Sequence, residues 1–326
     1  MNRRKLGNSG FQVGEVGLGC WQFGGDFGPM NDQTAHEIMS AAVESGTDFF
    51  DTADVYGGGR SETLIGAFRQ RTGKPSFIAT KFGRGGDVYP DRYTEAALRG
   101  ATEASLKRLR VEALDLLQLH CIPTEVMQEG AVFEWLRRLV TAGKIKHFGA
   151  SVETVEQALM CLEMEGCASL QIIFNLFRQK PIEVLLPRAK ERGVGIIVRL
   201  PLASGLLSGK FAASTRFGDN DHRSYNRDGQ MFNVGETFAG LPFEKGVELA
   251  DGLKPFVPAG MTMAEMALRW ILDYEEVSVI IPGASSPRQA RENTRATELP
   301  PLPAQLHQRL SEYYRTQVHS HIRGPY

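Results

Sequence analysis

The stretch Thr47-Asp48-Phe49-Phe50-Asp51-Thr52-Ala53-Asp54-Val55-Tyr56-Gly57-Gly58-Gly59-Arg60-Ser61-Glu62 decides the reading of this chain. Its first four residues, a β-branched threonine and two phenylalanines around Asp48, form a short strand-like run. The glycines make a turn, and Ser61-Glu62 opens a helix. A carboxylate, Asp51, therefore stands where a strand ends, and Tyr56 lies in the loop just after it. Lys81 follows the run Phe77 to Thr80, and His120 follows Leu114 to Leu119. Four different polar side chains at three strand ends point to one pocket.

Outward from this unit, strand and helix patterns alternate. The pattern predicts strands at 16–18, 49–50, 77–80, 114–119, 147–150, 170–173, 195–198 and 277–281. Helical spacing falls near 32–44, 62–71, 92–109, 125–142, 153–165, 181–192 and 262–273. Short buried strands joined by amphipathic helices make a parallel sheet with right-handed crossovers, and eight of them close a barrel. The expectation is an α/β chain folded as a (β/α)8 TIM barrel, one domain over residues 1–326. An open doubly wound sheet is the alternative. Against it, no glycine fingerprint follows the first strand, and the polar candidates come from several successive strand ends. Residues 5–13 read as an N-terminal β-hairpin turning at Asn8-Ser9-Gly10, and an extra C-terminal helix is expected near 303–317. The long loop after strand seven, 204–240, is rich in Gly, Asn and Asp and lacks a period, which suits a mobile lid at the active face.

Composition excludes several classes of function. The chain has 326 residues, 42% hydrophobic and 23% charged, with a net charge of -1 and a pI near 6.7. That balance offers nucleic acid or an anionic membrane no electrostatic reason to bind. Cys20, Cys121, Cys161 and Cys167 show no CxxC spacing, as expected of reduced thiols in the cytoplasm. The basic N-terminus is not followed by an apolar signal core, and no run approaches the roughly 18 apolar residues of a membrane span. No His/Cys/Asp cluster has ligand spacing, so no metal is expected. His36, His147 and His222 read as structural or surface residues, and Cys121 as a small buried hydrophobe.

The chemistry concerns proton delivery. A tyrosine with a pKa of about 10 is a poor acid–base group near neutrality. An adjacent lysine ammonium favours its phenolate, and an aspartate holds that ammonium charged. A histidine beside them hydrogen-bonds and orients a carbonyl oxygen. Asp51, Tyr56, Lys81 and His120 fit these roles for protonating an alkoxide formed by hydride transfer, and the hydride implies a nicotinamide cofactor. A second constellation, Ile280-Ile281-Pro282-Gly283-Ala284-Ser285-Ser286-Pro287-Arg288-Gln289-Ala290-Arg291-Glu292-Asn293, joins the last strand to a capped helix. Ser286 as N-cap and Pro287 as first helical residue make a helix N-terminus that suits a phosphate.

With these motifs, and with Leu119-His120 and Gly149-Ala150-Ser151, the chain resembles the aldo-keto reductases, in particular their bacterial and potassium-channel β-subunit-like branches. The resemblance runs from Lys5 to about Leu302. It implies a catalytic tetrad of Asp51, Tyr56, Lys81 and His120, with Tyr56 as the general acid. Ser151 and Gln171 would bind the nicotinamide carboxamide, and Pro201, Leu202, Ser204 and Lys210 the pyrophosphate side. Gly283, Ser285, Gln289, Glu292 and Asn293 would surround the adenosine and its 2′-phosphate. Arg288, with Arg291, favours NADP(H) over NADH. Two positions depart from the family pattern. Val152 stands where many members have asparagine, and Arg199 replaces the aromatic that stacks on the nicotinamide. A guanidinium plane can also stack, or reach the pyrophosphate.

The resulting expectation is an NADPH-dependent reduction of an aldehyde or ketone, with Trp21 and Phe82 lining the pocket for a small-molecule carbonyl. The alternatives are a cofactor-binding regulatory subunit resembling the channel β-subunits and a Schiff-base aldolase using Lys81.

Overall fold

The computed structural model describes residues 1–326. Two short strands, β1 (Arg3–Lys5) and β2 (Gln12–Gly14), pair antiparallel with Arg4 opposite Val13. Eight parallel strands follow: β3 (Leu18–Gly19), β4 (Phe49–Asp51), β5 (Phe77–Phe82), β6 (Leu114–His120), β7 (Ile145–Ser151), β8 (Cys167–Ile173), β9 (Gly195–Arg199) and β10 (Val277–Ile280). Each pairs with its neighbour in sequence. Parallel bridges Val16–Ile280 and Gly19–Gly283 then join the last strand to the first. Hydrogen bonds from Gly17 N to Ile280 O (2.8 Å) and from Gly19 N to Pro282 O (3.1 Å) complete the seam. The sheet is a closed barrel.

The helices are α1 (Asp32–Glu44), α2 (Arg60–Thr72), α3 (Glu95–Leu109), α4 (Thr124–Glu129), α5 (Ala131–Thr141), α6 (Val155–Leu162) and α7 (Leu185–Arg192). They continue with α8 (His222–Tyr225), α9 (Phe243–Leu253), α10 (Met263–Leu272), α11 (Pro287–Thr294) and α12 (Ala304–Tyr313). Side chains alternate faces along a strand, so each barrel strand sends one set of residues outward to the helices and the other inward. The outward set and the helices form the large core. The inward residues Phe49, Ala79, Leu116, Ile197 and Val279 pack with Leu6 and Val13 of the hairpin. The hairpin thus plugs the N-terminal end, with Phe11 against Phe77 at 4.7 Å. Gly7 makes this fit possible: at φ +52 it lies where a Cβ would come within 2.4 Å of Gly195 N.

Four sequence expectations need correction. The hairpin strands lie at 3–5 and 12–14, and Gly7–Ser9 forms a 3-10 turn between them. The helix expected over 125–142 is two helices, broken at Gly130 with φ +79. Helix α9 is an element the sequence pattern does not predict: Gly246 and Gly252 weaken its helical signal, and Gly246 lies against Leu206. The 204–240 segment is not irregular throughout. It carries 3-10 turns at Ala203–Ser208, Val234–Glu236 and Phe238–Gly240, and the single turn of α8. No helix is long and apolar enough to cross a membrane.

Candidate active site

Asp51 ends β4, Lys81 lies in β5 and His120 ends β6, so the barrel register alone brings them to one rim. Tyr56 arrives by a close crossing of two loops. Gly57, at φ +61, sits where a Cβ would be 2.7 Å from Gly24 O, and Gly24 where one would be 2.7 Å from Gly57 N. Only glycines permit that contact, which lays Tyr56 against the loop carrying Trp21. The helix that follows is tied to the strands by polar contacts. Thr52 donates to Ser61 Oγ (2.8 Å), and Ser61 to Cys20 O (2.9 Å). Glu62, fully buried, accepts from Thr80 Oγ1 and from Arg108 Nε at 2.6 Å.

At the centre, the Lys81 ammonium donates to Asp51 Oδ1, to Thr52 O at 2.8 Å and to Tyr56 Oη at 3.3 Å. The His120 ring meets the Tyr56 ring edge-on, with centroids 5.8 Å apart. The second Asp51 oxygen accepts from Gln171 Nε2 (2.6 Å) and Gln118 Nε2 (3.1 Å). Ser151 Oγ donates to Gln171 Oε1 at 3.3 Å. A buried polar chain therefore runs from Ser151 through Gln171 to the aspartate.

Burial pushes the Tyr56 phenol up to about 12, against the downward pull of Lys81. The expected lowering by lysine is real but smaller than the desolvation penalty in the free chain. Burial also opposes the charge on Lys81, yet Asp51 and Tyr56 outweigh it and raise its pKa. A lysine held protonated in this way is a poor Schiff-base nucleophile. His120 falls well below its usual value, first through burial and then through Lys81, Arg84 and Arg199. Its imidazole is neutral, and Nδ1 has no hydrogen-bond partner.

A cavity of about 630 Å³ opens from this centre and runs to the N-terminus of α11, within the usual range for small-molecule sites. Asp51, Tyr56, His120, Ser151, Gln171, Arg199, Pro201, Leu202, Ser204, Lys210, Gly283, Ser285, Gln289, Glu292, Asn293 and Trp21 all line it. Lys81 lies behind Asp51 and Tyr56. Besides Lys81, three expected residues do not reach the cavity: Phe82, Arg288 and Arg291, the last of which turns to Glu44 at 3.2 Å. Phe82 is buried edge-on against Tyr93, because the strand that turns Lys81 inward must turn its neighbour outward. Arg288 is exposed and pairs with Glu292 at 3.3 Å.

The arrangement suits a dinucleotide at several points. Ser286 caps α11 by accepting from Gln289 N at 3.3 Å, and Gln289 Oε1 reaches back to Ser285 N at 2.7 Å. Gly283 packs so tightly on Gln22 that a Cβ would fall 1.7 Å from Gln22 Nε2. Gln22 Oε1 is buried without a partner at that place. Arg199 does not extend toward the α11 end. Its Nη2 donates to Val152 O at 3.0 Å and its Nη1 faces Glu236 at 3.5 Å. The valine standing in place of asparagine thus contributes its backbone carbonyl instead of a side chain.

Several site residues were missed by the sequence reading. Gln118 had a signal, since it lies two residues before His120 on the inward face of β6. Arg295 lines the far end of the cavity beside Glu265 at 3.5 Å. Phe27, Arg223 and Glu236 also line it. Glu236 belongs to the aperiodic 204–240 segment and pairs with Arg84 at 2.9 Å, and Arg84 with Glu153 at 2.8 Å. Nothing in local sequence pattern singles these residues out.

The family model described as Aldo/keto reductase family matches residues 15–315. A probable aldo-keto reductase 1 from Glycine max is 32% identical over 297 residues, covering 90% of this chain and 83% of that protein. The uncharacterized oxidoreductase YqkF of Bacillus subtilis is 30% identical over 304 residues, covering 91% of each. Among solved structures, the aldo-keto reductase AKR11C1 from Bacillus halodurans in its holo form superposes with a TM-score of 0.78 at 25% identity over 96% of each chain. The glycerol dehydrogenase AKR11B4 from Gluconobacter oxydans does so with a TM-score of 0.80 at 26% identity, over 100% of this chain and 98% of that one.

Proposed function

The chain belongs to the aldo/keto reductase family, and from that premise we propose that it reduces an aldehyde or ketone to an alcohol with NADPH, Tyr56 delivering the proton. Enzymes of this family use nicotinamide cofactors, and such a cofactor, when bound, supplies the hydride. The observation that carries the proposal is the Lys81 ammonium 3.3 Å from Tyr56 Oη at the end of a long cavity. A phenol pushed up to about 12 holds its proton at neutral pH, the form that reduction consumes. As that proton leaves, Lys81 stabilises the phenolate, and Asp51 keeps Lys81 charged and in place. The neutral His120 can donate a ring N–H to the carbonyl oxygen and hold it toward Tyr56.

Ser151 and Gln171 would bind the carboxamide of the nicotinamide, with Gln171 also steadying Asp51. Pro201, Leu202, Ser204 and Lys210 would follow the pyrophosphate, and Gly283, Ser285, Gln289, Glu292 and Asn293 the adenosine. For the 2′-phosphate we assign Arg295, which faces the cavity, in preference to the outlying Arg288. Trp21 would flank the carbonyl. The 204–240 segment would act as a lid, since Ser204, Lys210, Arg223 and Glu236 reach the cavity from it.

The test is a fluorescence titration with NADPH and with NADH, followed by a carbonyl panel read as NADPH consumption. Small hydroxylated aldehydes and ketones head the panel, because one structural relative is named a glycerol dehydrogenase. Tighter binding of NADPH with turnover of at least one carbonyl supports the proposal. Binding without any turnover would favour a regulatory role, and absence of dinucleotide binding would refute the reading of the α11 end.

A further inference from the structure

The carboxylate of Asp26 takes no part in the proton chemistry, yet both of its oxygens are engaged. Oδ2 accepts the indole N–H of Trp21 at 2.9 Å, and Oδ1 accepts the phenol O–H of Tyr225 at 2.8 Å. Trp21 belongs to the loop after β3, whereas Tyr225 ends α8 in the 204–240 segment. The backbone repeats this link. His222 N donates to Asp26 O at 2.8 Å, the His222 ring approaches the same oxygen at 3.1 Å, and Phe27 bridges Asp221.

The effect falls on Trp21. Its indole stacks alongside the Tyr56 ring at 5.9 Å and 20°. Behind and beside it stand His222 at 4.5 Å, Phe27 at 5.2 Å and Phe232 at 6.0 Å. Trp21, Phe27 and Tyr56 line the same cavity. The indole plane is therefore a side wall of the slot through which a carbonyl reaches the tyrosine. A tryptophan has few torsions, and a buried indole N–H selects the rotamer that meets an acceptor. A carboxylate is a strong acceptor, so the wall is held at one edge by a charge-assisted hydrogen bond.

We infer that Asp26 is a specificity-positioning residue, which clamps Trp21 to Tyr225 so that the 204–240 segment sets the width of the carbonyl slot. This rests on the carbonyl-reductase reading above. Without the clamp the indole swings away from Tyr56, and the slot admits broader carbonyls at the expense of small ones. The segment keeps a separate anchor, Glu236 on Arg84 and Arg199, so removing the Tyr225 hydroxyl does not free it. Ser151, Gln171, Ser285 and Gln289 at the proposed cofactor site have no hydrogen bond to Asp26.

The experiment compares kcat/KM for benzaldehyde and propanal at saturating NADPH in wild type, Tyr225→Phe, Asp26→Ala and Asp26→Asn. Tyr225→Phe and Asp26→Ala are expected to shift the ratio toward benzaldehyde by on the order of tenfold, as for loss of a hydrogen bond to a charged group. NADPH affinity should not change. Asp26→Asn should restore the wild-type ratio, since an amide can accept from the indole and donate to the Tyr225 oxygen. A wild type that reduces carbonyls while Tyr225→Phe keeps its ratio overturns this inference alone. A wild type that binds no NADPH and reduces neither aldehyde overturns the carbonyl-reductase reading, and the inference with it.

Discussion

Tyr56 and Asp54 are five and three residues along from the same strand end, and burial acts on both. For Tyr56, desolvation exceeds the pull of Lys81, leaving a protonated phenol. For Asp54, burial and then the nearby Glu62 push the carboxyl up to about 7 from 3.8. Because the folded pKa lies above the unfolded one, the protonated carboxyl is the form that folding favours. Its contribution to stability is complete below pH 3.8 and is lost as the pH rises through about 7. Asp54→Asn, which cannot ionise, should match wild type in thermal melts at the acid end and become the more stable protein by pH 8. Equal melting temperatures at pH 8 would show that Asp54 is solvated. The residue types of the tetrad were legible because Asp51, Lys81 and His120 each stand at the end of an apolar run and Tyr56 follows in the loop after the first of them. The direction of the Tyr56 shift was not, because it depends on how much water the fold removes, and no local pattern encodes that. Gln118 could have been read from strand parity, whereas Glu236 could not.

Strand parity and helix register account for most of the remaining differences. In β5 the inward turn of Lys81 sends Phe82 to the helices, so two adjacent residues cannot both face the pocket. On α11, Gln289, Glu292 and Asn293 share the face toward the cavity, and Arg295 follows Glu292 by three residues. Arg288 folds back on Glu292 in solvent. Sequence shows the cap and the arginines but not the tilt of the helix, which decides which arginine points inward. Arg295→Ala should therefore weaken NADPH by on the order of tenfold, the usual loss for a charged hydrogen bond, and leave NADH nearly unaffected. Arg288→Ala should change neither. Equilibrium titration of both variants with both cofactors checks the pair. Ser286→Ala should cost about 1 kcal/mol of stability through the lost cap, seen as a lower denaturant midpoint.

At the scale of the whole molecule, eight strand–helix units closing on themselves bring distant sequence to one rim. Asp51 and Gln171, 120 residues apart, meet at 2.6 Å for that reason alone. The alternation of short apolar runs and amphipathic stretches makes the barrel readable from the sequence alone. The register of the closing seam at Val16–Ile280, the docking of the hairpin as a plug, and the contacts of the 204–240 segment were not readable, since all are long-range pairings that no local pattern encodes. The same closure assigns the mechanism its parts: a proton donor at one end of the cavity and a capped helix at the other. The measurement that tests this most directly compares wild type with Tyr56→Phe, following NADPH binding by fluorescence and carbonyl reduction by NADPH consumption on the best carbonyl of the panel. The account predicts unchanged NADPH binding and a kcat lower by roughly 10²- to 10⁴-fold, the usual worth of a general acid. A Tyr56→Phe enzyme that turns over as fast as wild type would contradict it.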